Sequence, residues 1–124
     1  MRLSEEEFAR LVDEALALLP RQFRQWMENI TVDIQPRPTR ELTESAEMPP
    51  DRRLLGLYHG VPVTEQSVEA PWGLPERIYI FQRNIEAACR TRQEIVQQVR
   101  ITVLHEIGHH FGFSDEELEA LGMD

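Results

Sequence analysis

Cysteine is nearly absent from this 124-residue chain: Cys89 stands alone, so there can be no internal disulfide and no cysteine-rich zinc cluster. A reducing, cytoplasmic compartment is the expectation. Long apolar runs are also missing, and none approaches the ~20 residues of a membrane span. The opening Met1-Arg2-Leu3-Ser4-Glu5-Glu6-Glu7 carries acid where a secretory leader needs apolar residues. Positive charge is outnumbered, with 13 basic residues against 22 acidic and a formal net charge of -9. A phosphate backbone or an anionic lipid surface would repel such a chain, which argues against nucleic acid and membranes as partners. The 41% hydrophobic content is that of an ordinary globular chain, and the length suits one domain spanning residues 1–124.

Ser4 with Glu7 forms a capping box, followed by Phe8, Leu11, Val12, Ala15, Leu16 and Leu19 at helical spacing until Pro20. Pro20 then starts a second short helix carrying Phe23, Trp26 and Met27. Ile30, Val32 and Ile34 alternate with polar residues as a strand. Residues 35–53, with four prolines and many charges, predict a mobile loop. Leu54, Leu55, Leu57 and Tyr58 predict a second strand, Val61–Pro75 a further long connection, and Arg77–Gln82 a third strand. A helical turn is expected at Asn84–Cys89. Thr91 with Glu94 opens a long helix in which Val96, Val99, Val103 and Ile107 share an arc of ~80°. Gly112 ends that helix, and Ser114 with Glu117 caps a last one through Leu118 and Leu121. The sum is an α+β fold, with helices on one side of a mixed sheet of three or four short strands.

Chemistry concentrates in His105-Glu106-Ile107-Gly108-His109-His110-Phe111-Gly112-Phe113-Ser114-Asp115. The pattern H-E-x-x-H on a helix puts His105 and His109 about 40° apart on one face, where both imidazoles can reach a single zinc ion. A catalytic zinc takes three protein ligands and keeps one position open. The 15 residues after His109 leave little chain for a distant third donor. A left-handed Gly112 would reverse the chain and return Asp115 toward the ion, making His105, His109 and Asp115 the expected ligands. Glu116, Glu117 and His59 are the alternatives for the third place. Glu106, adjacent to His105 and not aimed at the ion, is the expected general base toward a zinc-activated water. His110, nearer the core arc than the ligand face, reads as a packing residue or as a histidine that supports the site from behind its ligands, and Gly108 as a site of close packing.

H-E-x-x-H-x-x-G-x-x-D, from His105 to Asp115, resembles the metzincin consensus with Asp in place of the usual third His. The short chain is similar to the minimal zincin-like metallopeptidase family of bacteria. Leu54–Pro62 and the strand from Arg77 to Asn84 are the less specific accompanying stretches. The resemblance implies a zincin-like fold, a small twisted sheet over the active-site helix, and zinc-dependent hydrolysis of a peptide or small-protein substrate. True metzincins place a Met-containing turn beneath the metal after a substantial further segment, whereas Met123 follows Asp115 by only eight residues. In zincins an upstream edge strand pairs with the extended substrate, and Arg77–Gln82 is the expected counterpart. Tyr58, His59 and Tyr79 are possible oxyanion donors, and Trp72 a lid or a packed loop residue. Two other functions stay open: a non-catalytic or regulatory module in which zinc braces the fold and the groove holds a partner peptide, and hydrolysis of a non-peptide amide or ester.

Overall fold

Local signals set the start of each principal helix. In the computed structural model, which describes residues 1–45, 54–59 and 76–122, Ser4 Oγ accepts the Glu7 N–H at 3.1 Å and opens α1 (Glu5–Ala17). Pro20 precedes α2 (Arg21–Met27), its fixed φ suiting the entry to a helix, and β1 (Ile30–Gln35) follows. One expectation fails next. Within 35–53 the chain forms a helix, α3 (Arg40–Ser45), capped by Thr39 Oγ1, which accepts the Leu42 N–H at 3.2 Å. Proline density hid it, since the ten residues between Pro38 and Pro49 leave room for this six-residue helix.

The remaining elements are β2 (Gly56–His59), β3 (Glu76–Phe81), α4 (Gln82–Ala88), α5 (Arg92–His110) and α6 (Asp115–Gly122). Gln82 therefore starts a helix instead of ending a strand. The connection expected over Val61–Pro75, with Trp72, lies outside the described residues, as does Met123. No helix among the described residues is long and apolar enough to cross a membrane.

The three strands form a mixed sheet in the order β1-β3-β2, with β1 parallel and β2 antiparallel to β3. The third strand in sequence is thus central, not an edge. Its alternation serves two faces: Ile78 and Ile80 join the main core, while Tyr79 and Phe81 face the other way and pack with Leu57, Leu42 and Leu54. Leu42 comes from α3, so one short helix covers the second face, and the helices are not all on one side.

Most of the core is built around α5. Val96, Val99, Val103 and Ile107 are at most 1% exposed, and Ile95 and Leu104 are fully buried beside them. The buried arc is wider than the valine stripe alone because α5 meets α1 on one side and the sheet on another. Phe8, Leu11, Val12 and Ala15 of α1 and Phe23 of α2 complete this layer.

A buried polar knot ties the N-terminal segment at Leu3 to α4. Glu86, 3% exposed, accepts the Leu3 N–H at 2.9 Å, Gln82 Nε2 at 3.0 Å and Arg83 at 2.7 Å, while Gln82 and Arg83 also donate to the Leu3 carbonyl. Burial alone would raise the Glu86 carboxyl, but the hydrogen bonds from Gln82, Leu3 and Arg83 prevail and hold it below the usual carboxylate range. A depressed carboxyl stabilises the fold fully above its unfolded pKa, and that stability is lost as pH falls through the lowered folded pKa. Glu86→Ala should cost about 2–4 kcal/mol at pH 7, since three donors lose their acceptor in a buried site. Urea unfolding at pH 7 and pH 3 should also show a smaller loss on acidification for Glu86→Gln than for the unsubstituted protein.

Candidate metal centre

The candidate centre is built by the last two turns of α5 and the reversal that follows. Thr91 Oγ1 accepts the Glu94 N–H, and the Glu94 carboxylate reaches back to the Arg90 N–H at 2.6 Å, so the helix begins firmly and carries its register to His105 and His109. Those two rings have centroids 5.6 Å apart, as expected for residues one turn apart on a shared face. The helix then stops in two hydrogen bonds, Phe113 N–H to the Gly108 carbonyl at 2.9 Å and Gly112 N–H to the His109 carbonyl at 3.1 Å. This is a Schellman ending, and Gly112 has the φ of +87° it requires.

Beyond the turn, Ser114 and Glu117 cap each other's backbone N–H groups at 3.2 and 3.1 Å, which fixes the first residue of α6, Asp115. Leu118 is fully buried on Gly108, so closely that a Cβ on Gly108 would collide with it. The helical glycine exists so that α6 can fold back onto α5. As a result Asp115 Oδ1 lies 2.7 Å from His109 Nε2. Glu117 is committed to its cap, and His59 ends β2 opposite Arg77. Of the four carboxylate or imidazole choices for a third donor, Asp115 is held against His109, a histidine of the motif.

Among the described residues no three His, Cys, Asp or Glu side chains form a ready-made metal cage. The donor chemistry nonetheless suits zinc: two imidazoles and a carboxylate, with the side chains of His109 and Asp115 51% and 71% exposed and so open to an incoming ion. Two donors each bound to one tetrahedral zinc stand about 3.3 Å apart. The hydrogen-bonded pair is therefore drawn in by roughly half an ångström relative to a pair bridged by metal.

Glu106 sits apart from these donors, against β2. The Phe81 N–H to Leu55 carbonyl bond at 2.9 Å makes Leu57 and Tyr79 a mutually bonded pair, turning the main-chain groups of Gly56 and Tyr58 away from β3. The Tyr58 N–H accordingly donates to the Glu106 carboxylate. Burial pushes the Glu106 carboxyl above its ordinary range, and the charge of His109 and the Tyr58 N–H offset part of that rise. Gly56 allows β2 to approach α5: a Cβ there would stand 2.6 Å from the Thr102 methyl. A cleft of about 220 Å³ lies along this seam, lined by Leu54, Leu55, Ile101, Thr102, His105 and Glu106.

His110 packs on Tyr58 and not into the core. It is exposed, its ring 4.1 Å from that of Tyr58 and its Nε2 3.2 Å from the Tyr58 hydroxyl. The helix has outrun the core by this point, so the residue meets β2 instead. The Tyr58 hydroxyl also bonds Glu76, and its pKa is driven up by burial and by that carboxylate. A phenol so engaged is a wall of the site, and the contribution of Tyr58 to Glu106 comes from its main chain, which no side-chain pattern could reveal. Tyr79 faces the opposite side of the sheet.

A family model described as zincin-like metallopeptidase matches residues 27–123, about three quarters of the chain. No curated protein matches it. Nothing lies within 4 Å of a Cβ built on Gly112, so Gly112→Ala tests its backbone alone. It should lower stability by about 1–2 kcal/mol in urea unfolding, with Gly112→Asn recovering part, because asparagine tolerates the left-handed region.

Proposed function

Because the chain belongs to the zincin-like metallopeptidase family, we propose that it is a zinc-dependent peptidase whose metal is held by His105, His109 and Asp115. The observation that carries this reading is the 2.7 Å approach of Asp115 Oδ1 to His109 Nε2 across the Gly112 reversal. Bound there, zinc supplies a Lewis acid that lowers the pKa of water toward 7 and polarises a carbonyl.

Glu106 is the general base of this proposal. Its raised pKa brings it nearer neutral pH than an exposed glutamate, which suits a group that accepts a proton at Oε and delivers it to a leaving amine. The Tyr58 N–H holds the carboxylate in place. Substrate would lie extended along β2, which is an edge among the described residues, in place of the central β3. The outward carbonyl and N–H of Gly56 and the carbonyl of Tyr58 are the groups available to pair with it. The cleft beside Glu106 is small and partly apolar, suited to one side chain of modest size.

Purified protein treated with chelator and reloaded should take up one zinc per chain at neutral pH, and His105→Ala or His109→Ala should abolish tight uptake. Glu106→Gln should keep the zinc while peptide hydrolysis, followed by mass spectrometry on a peptide library, falls about 10²–10⁴-fold. Hydrolysis unchanged in that variant removes Glu106 from the mechanism. Full zinc uptake with no peptide cleaved favours the non-catalytic module.

A further inference from the structure

The five residues that connect His109 to Asp115 include two phenylalanines, and both are engaged by α2. Trp26 stacks on Phe111 with centroids 4.1 Å apart and planes 23° from parallel, and meets Phe113 at 5.9 Å. Phe23 lies 5.6 Å from Phe113 and 4.9 Å from Trp26. Phe23 and Trp26 are three apart on α2 and so present one face to the reversal. Phe23 and Phe113 belong to the main core or pack against it, but Phe111 remains 42% exposed and rests on Trp26 from outside.

Among the described residues nothing stands within 4 Å of a Cβ built on Gly112, and Asp115 is largely exposed. The path of the reversal is thus set by its own hydrogen bonds, by Leu118 on Gly108, and by these four rings. We propose that Trp26, seated on Phe23, is a positioning residue for the third metal ligand: it clamps Phe111 and Phe113 and so fixes where Asp115 stands relative to His105 and His109. It supplies from α2 the support that a turn beneath the metal would otherwise give. Phe23 and Trp26 lie just before the stretch that matches the family model, while Phe111 and Phe113 lie within it.

The inference rests on the zinc reading of the site, and the experiment separates the two. Zinc affinity is measured by chelator competition, and the visible absorption of the cobalt-loaded protein reports the ligand set, for the unsubstituted full chain and its variants. Trp26→Ala should weaken zinc about 10–100-fold, the range for loss of a group supporting a ligand, and alter the cobalt spectrum, with Trp26→Phe restoring both. Phe111→Ala, on the exposed side of the stack, should weaken zinc in the same direction without threatening the core. Val12→Ala, a core change in α1 away from the reversal, should leave affinity and spectrum as they were. Unchanged affinity and spectrum in Trp26→Ala and Phe111→Ala, or an equal loss in Val12→Ala, overturns the clamp while the zinc site stands. Failure of the unsubstituted protein to bind zinc overturns both.

Discussion

One left-handed residue decides whether His109 and Asp115 meet. Gly112, with φ at +87°, lets α5 end in two backbone hydrogen bonds and sends the chain back on itself within three residues. His109 and Asp115 are six positions apart and would diverge on a continuous helix, where that spacing corresponds to about 600° of rotation and 9 Å of rise. The reversal places their polar atoms at hydrogen-bond distance. Every feature nearby serves the same geometry: Gly108 vacates space for Leu118, and Ser114 with Glu117 fixes the start of α6.

The elements that organise this region were written locally and could be read. Capping boxes at Ser4, Thr91 and Ser114 each form with their expected donors, because a cap depends on residues three apart. The Val96, Val99, Val103 and Ile107 stripe is buried as its spacing requires. The suspicion that Gly108 marks close packing is answered by Leu118, although the identity of the partner lay ten residues downstream. What escaped was long-range or main-chain in origin. Strand order is set by pairing partners far apart in sequence, so nothing in Arg77–Gln82 distinguished a central strand from an edge. Helix α3 was hidden by flanking prolines, and the pairing of His110 with Tyr58 depends on where β2 crosses the end of α5.

The placement of β2 links fold to chemistry. Its register against β3 fixes the parity of its backbone, and that parity alone decides that the Tyr58 N–H faces α5 and meets Glu106. A shift of one residue would turn that donor into the sheet and bring Leu57 onto the helix side. Gly56 guards the register, since a larger residue there would meet Thr102, and the Phe81 N–H bonding to the Leu55 carbonyl pins the same end of β2 to β3. The position of a glutamate on a helix thus depends on alternation in a four-residue strand, and mutations in the sheet would act on Glu106 without touching it.

Exposure of the His109–Asp115 pair carries the last step. Ion pairs this open to water contribute about 1 kcal/mol or less, so the contact cannot itself hold the reversal together. Cause runs the other way: the backbone ending, the buried Leu118 and the rings of Trp26, Phe111 and Phe113 hold the turn, and the pair forms because they do. Such an arrangement leaves the His109 and Asp115 side chains in water, and in the zinc reading proposed above they would part by roughly half an ångström to admit the ion. Rigidity resides in apolar and main-chain contacts, while the adjustable part is an exposed hydrogen bond.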